Sequence, residues 1–93
     1  MEISVKKAII TVVGKDTVGI IAAICTYLAG KHINILDISQ TIVDGYFNMM
    51  MVVDIAAVTD FAALCDDLKA VGEEKGVLVG CQNEEIFEKM HRI

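Results

Sequence analysis

The residues best placed to do chemistry lie in one short run and one separate amide. The run is Gly14-Lys15-Asp16-Thr17-Val18-Gly19, set between a β-branched stretch and a stretch of helical periodicity. Such a run carries the chain from a strand into a helix. The first backbone N–H groups of a helix have no acceptor within it, and they lie at the positive end of its dipole. At Thr17, Val18 and Gly19 these donors attract an anion or a carboxylate. Gly19 has no side chain, so a ligand can approach the first turn closely, and bulk placed there is expected to block that approach with little effect on the helix. Asn34 opens the next strand and can both donate and accept. If Asn34 stands at the same end of the sheet as the run, as expected here, the group suits an amino acid. Its carboxylate would sit on the helix start and its amine between Asp16 and Asn34. The same residues have a simpler account, with Asp16 a helix cap and Asn34 a turn residue. Spacing alone leaves both open.

Other chemistries find less support. Cys25, Cys65 and Cys81 are far apart and form no C-x-x-C pair, so they read as small apolar residues in a reducing compartment rather than metal ligands. His32 and His91 have no Cys or carboxylate at ligand spacing and read as surface residues. Met49-Met50-Met51 cannot gather round a soft metal, because consecutive strand residues point to opposite faces. Ser4 and Ser39 have no visible His–Asp arrangement for nucleophilic catalysis. No metal, cofactor or catalytic residue is expected.

The elements that would position the run follow from periodicity. Lys6–Val13 is nearly continuous in apolar character and predicts a central strand ended by Gly14. Thr17–Ala29 predicts a helix, with Ile21, Ile24, Cys25 and Leu28 on one stripe, Asp16 as N-cap and Gly30 as the stop. Asn34–Asp44 and Tyr46–Ala56 predict two strands joined by Asp44-Gly45, a hairpin turn that needs positive φ at both positions. In the second of these, Phe47, Met49, Met51, Val53 and Ile55 share a wholly apolar face that should meet the helices. Thr59–Lys75 predicts a second helix capped by Thr59, with Phe61, Leu64, Cys65, Leu68 and Val71 buried and Gly76 closing it. Val77–Cys81 predicts the last strand, and Glu84–His91 a short terminal helix. The order βαββαβ implies an α+β, ferredoxin-like sandwich, with an antiparallel sheet in the order 4-1-3-2 and both helices on one face. Ala8, Ile10, Val12, Met50 and Val52 are assigned to the open face, which would then need a cover.

Length and composition bound the partners. Ninety-three residues fit a single domain, with a core over about residues 7–81 and a helical tail over 84–91. At 55% apolar residues the chain is rich for its size, which suggests a face covered by another subunit. A net charge of −5 argues against nucleic acid and against anionic membranes. No apolar run approaches a membrane span, and Met1-Glu2-Ile3-Ser4-Val5 is unlike a signal peptide, so a cytoplasmic setting is expected. Within the ferredoxin-like architecture the first loop also discriminates. It lacks the two cysteines of a metal chaperone, and Arg92, the one arginine, is not placed to cradle an acylphosphate.

Gly14-Lys15-Asp16-Thr17-Val18-Gly19-Ile20, followed by Asn34-Ile35, resembles the ACT domain family over about Lys7–Cys81. The likeness is strongest to small stand-alone bacterial and archaeal members and extends to the ACT repeats of a glycine-cleavage-system repressor. Val18 stands where many members have Pro. The resemblance implies a regulatory module rather than an enzyme: a homodimer that binds an amino-acid-like effector at Asp16, Thr17, Val18, Gly19 and Asn34, and that acts on a protein partner in trans. The alternative is a scaffold of the same fold that dimerises or docks partners without a small ligand.

Overall fold

A computed structural model describes residues 6–15 and 19–83. The expected terminal helix at 84–91 lies outside the described residues. Strand β1 (Lys7–Lys15) is followed by helix α1 (Ile20–Gly30), strands β2 (Ile35–Val43) and β3 (Tyr46–Asp54), helix α2 (Phe61–Lys75) and strand β4 (Leu78–Asn83). All pairings are antiparallel, and the sheet order is β2-β3-β1-β4, the βαββαβ arrangement expected from the sequence. Asp44 and Gly45 both take positive φ, 56° and 81°, as the two-residue hairpin requires. Among the described residues no helix is long and apolar enough to cross a membrane.

The core lies between the helices and one face of the sheet. Phe47, Met49, Met51 and Val53 of β3 are buried there with Ile20, Ile24 and Leu28 of α1 and Leu64 and Leu68 of α2. Met50, between two buried methionines, is exposed on the other face. Residues paired directly across a ladder share a face. Because Ala8 pairs with Val53, Ile10 with Met51 and Val12 with Met49, the β1 residues Ala8, Ile10 and Val12 face the helices and are fully buried. Their expected place on the open face is thus corrected. The strand is apolar on both sides, so its own alternation carries no phase. The open face instead holds Ile9, Thr11 and Val13 beside Asn48, Met50 and Val52, with Ser39 and Thr41 next to them. It is more mixed than expected.

The exposed apolar surface is concentrated on β2. All nine of its residues are exposed, and Ile35, Leu36, Ile38, Ile42 and Val43 are 38–61% accessible. As an end strand it pairs only with β3, and a register shift lies between Ile35 and Asp37. The other end strand, β4, is held closely by α2. A Cβ on Gly72 would lie 2.3 Å from Val79 Cγ2, so only glycine permits this approach.

The helix ends differ from expectation. Helix α1 begins at Ile20, three residues later than expected, with Gly19 as its N-cap. It ends in a Schellman-type turn: His32 N–H donates to Ala29 O at 3.0 Å and Ile33 N–H to Leu28 O at 3.0 Å. The residue at positive φ is His32, at 58°, rather than Gly30. Burial of Ile33 against the core ties the turn down. Helix α2 begins at Phe61, and its cap is Asp60, whose Oδ1 accepts from Ala63 N–H at 3.0 Å, not Thr59. Gly76, at φ 74°, closes it as expected.

Candidate functional site

Two ends of the sheet must be kept apart. Lys15 pairs with Tyr46 and Val43 pairs with Tyr46, so the end of β1, the end of β2 and the hairpin lie together. Lys7 pairs with Asp54 and Ile35 with Val53 at the opposite end. Helix α1 starts at the first end and finishes at the second.

Of the sequence-derived site residues, Asp16, Thr17 and Val18 lie outside the described residues. Gly19 sits at the first end. Its φ of +91° is a left-handed conformation that favours glycine, so a side chain there would strain the backbone whatever the available space. The expectation of a harmless substitution at Gly19 is therefore corrected. Gly19 O accepts from Ala23 N–H at 2.9 Å, and the cap has no side-chain hydrogen bond. The helix itself offers no acceptor to the N–H groups of Ile20, Ile21 and Ala22. The anion-attracting donors thus stand one turn later than the sequence suggests. Lys75, at the end of α2, brings its ammonium to this place: a Cβ on Gly19 would lie 3.8 Å from Lys75 Nζ. Fifty-six residues separate the two in sequence, and no local pattern links them. Together, helix-start N–H groups and a lysine ammonium suit a carboxylate or another small anion. Beside them an open cleft of about 680 Å³ is lined by Val13, Gly14, Lys15, Tyr46, Gly76 and Leu78, among others.

Asn34 is not part of this group within one chain. It precedes β2 at the second end, where its carbonyl accepts from Asp54 N–H at 2.9 Å. Its side chain belongs to an exposed residue. Between Gly19 and Asn34 runs the whole of α1, 11 residues and so about 16 Å of helix. A helix that returns along its sheet must start and finish at opposite ends of the strands, so the expected meeting of these residues does not occur inside a protomer.

At the second end lies a smaller, more enclosed cavity of about 240 Å³ between α1 and the start of α2. Sequence reasoning missed it. Tyr27 Oη donates to Asp67 Oδ2 at 2.7 Å across its wall, and Lys31 Nζ lies 5.9 Å from the Tyr27 ring centroid. Burial, and then the bond to Asp67, push the Tyr27 phenol up to about 12. Ile33 and Leu64 supply apolar wall. Asp67 is exposed on α2, and only the crossing of the helices gives it a partner.

Known proteins place this geometry. A UPF0237 protein of Bifidobacterium longum is 65% identical over 88 residues, covering 94% of this chain and 98% of the relative. A UPF0237 protein of Methanocaldococcus jannaschii is 51% identical over the same share of each chain. The solved ACT domain protein from Streptococcus pneumoniae superposes with a TM-score of 0.81 at 45% identity, over 91% of this chain and 97% of that one. At 12% identity, a glycine cleavage system transcriptional repressor shares the fold with a TM-score of 0.77, this chain spanning 49% of its length. The ACT domain profile matches residues 6–82, and the chain belongs to the ACT domain family.

Proposed function

We propose that this ACT domain is a non-catalytic regulatory module of the cytoplasm. It binds an amino acid or a similar zwitterion between two copies of itself and passes the signal to a protein partner in trans. The observation that carries this reading is β2: a fully exposed end strand with Ile35, Leu36, Ile38, Ile42 and Val43 open to solvent, Asn34 at its start and Gly19 at the end of the sheet where it finishes. An edge of this kind is a template for pairing. If two copies pair β2 to β2 in antiparallel register about a two-fold axis, the start of one β2 lies beside the end of the other. Asn34 of each protomer then approaches the α1 start of its partner. Helix N–H groups and Lys75 would take the carboxylate, and the partner's amide would take the amine. Each dimer would hold two equivalent sites. The residues Asp16, Thr17 and Val18 belong to the same proposed loop.

Thermal shift against the twenty amino acids tests the binding half. A ligand at a hundredfold excess over Kd adds about 2.7 kcal/mol of stability. Asn34→Ala should weaken binding about 5- to 150-fold, the effect of leaving about 1–3 kcal/mol of polar interaction unmade. Ile42→Lys, on the β2 edge, should convert a dimer in sedimentation to a monomer and abolish binding at once. A monomer that still binds would refute the shared site. A dimer that responds to no amino acid or related metabolite would favour the ligand-free scaffold.

A further inference from the structure

We propose that Cys65 and Cys81 form a reversible intrachain disulfide that fastens α2 to β4. The two thiols come from elements drawn unusually close. Gly72, two turns after Cys65, removes the side chain that would hold the helix off the strand, since a Cβ there would lie 3.1 Å from Val77 O and 2.3 Å from Val79 Cγ2. Residues seven apart share a helix face, so Cys65 lies over the same strand. Its Sγ donates to Cys81 O at 3.6 Å. Cys81 pairs with Ile10 in the β1–β4 ladder, so its side chain shares the helix-facing side with Ile10, toward α2. Both residues are only partly buried, which leaves small reagents a route to them. Cys25 lies on α1 and is no part of this contact.

The pair also divides the chemistry. Burial, and then the hydrogen bond and charge of Cys65, hold the Cys81 thiol above its ordinary range, which disfavours its thiolate. The Cys65 thiolate attacks one sulfur of a small-molecule disulfide, and one small thiolate leaves. Cys81 then gives its proton to that thiolate, and its sulfur displaces the second small thiolate from Cys65. This thiolate takes the proton that Cys65 released. Two protein thiols are oxidised, one small disulfide is reduced to two thiols, and the bond closes across 16 residues of sequence.

Oxidised glutathione on the full chain tests this without any substitution. Cleavage after Lys15, Lys31, Lys69, Lys75 and Lys89 places the three cysteines on three separate peptides, 16–31, 32–69 and 76–89. After alkylation, the expected product is peptide 32–69 joined to 76–89, with Cys25 alkylated and the chain at monomer mass on a non-reducing gel. The oxidised protein should melt roughly 10 °C higher, and dithiothreitol should reverse the change. Cys25→Ser should leave both results intact, whereas Cys65→Ser or Cys81→Ser should remove them. Three alkylated cysteines, a lasting glutathione adduct on Cys65 or Cys81, or a bond between chains would each overturn the proposal.

Discussion

Replacing Gly72 by Ala puts a methyl group where α2 meets β4. The new carbon would stand 2.3 Å from Val79 Cγ2, 3.1 Å from Val77 O and 3.2 Å from Val79 Cβ. Carbon atoms pack favourably at about 3.5–4.0 Å, so the helix must retreat by about 1 Å or Val79 must leave its rotamer. Overpacking of this kind costs about 1–3 kcal/mol. Ala is favoured over Gly in a helix interior by about 1 kcal/mol, which offsets part of the clash. The net expectation is a loss of up to about 2 kcal/mol and a Tm lower by up to roughly 15 °C for a domain of this size. Urea unfolding followed by circular dichroism measures it. Val79→Ala removes the atom in the tightest contact. The double variant should therefore be more stable than the sum of the single effects implies, by about 1 kcal/mol. A Gly72→Ala protein more stable than the parent, as the helix gain alone would make it, or strict additivity in the cycle, would mean that α2 does not lie this close to β4. The geometry behind the Cys65–Cys81 bond would fall with it.

Three further outcomes follow from the same packing. Leu28→Ala, at a fully buried site, should cost about 2–5 kcal/mol in chemical unfolding, while Lys69→Ala on the exposed side of α2 should stay within about 0.5; equal effects would contradict the helix phases. Asp60→Ala should lose about 1 kcal/mol with the α2 cap, and Thr59→Ala almost nothing, the reverse of what the sequence suggested. The Tyr27 phenol is raised from 10 to about 12, so its contribution is fully present below pH 10 and disappears as pH climbs toward 12. Urea midpoints of the parent should consequently fall more steeply over that window than those of Tyr27→Phe, and parallel curves would show that the bond to Asp67 does not stabilise the fold.

Element order and the hairpin were legible because they rest on local signals. Asp44-Gly45 needs no tertiary information to turn, and β3 has one wholly apolar face while Asn48 and Asp54 mark the other, which sets its phase. The β1 strand shows where such reading stops. With Ala8, Ile9, Ile10, Val12 and Val13 in one run, both alternations fit, and only its pairing with Met49, Met51 and Val53 decides which face meets the helices. Caps failed for a related reason. Asp16, Thr59 and Asp60 are all competent N-caps, and the choice depends on where packing lets the first helical turn form. The two contacts that cross between elements, Tyr27 with Asp67 and Cys65 with Cys81, leave no trace in spacing at all.

The candidate site was legible in its residue types and illegible in its geometry. In sequence Gly19 and Asn34 are neighbours in that both border the first helix, yet a crossover helix carries the chain from one end of the sheet to the other. Symmetry alters that conclusion without altering the residues. An antiparallel two-fold pairing of identical strands sets the first end of one copy beside the second end of the other. Two groups held about 16 Å apart within a chain can then face each other between chains. The apolar cover first sought for the open sheet face finds its counterpart along β2, where Ile35, Ile38 and Ile42 stand exposed on the helix side. On this reading one strand does two things. Its side chains hold the copies together, and its length and direction decide which pieces of each copy meet a ligand. Effector binding and dimer stability then become one linked equilibrium, so that an effector bound across the pair must tighten the dimer by the same free energy with which the dimer tightens the effector.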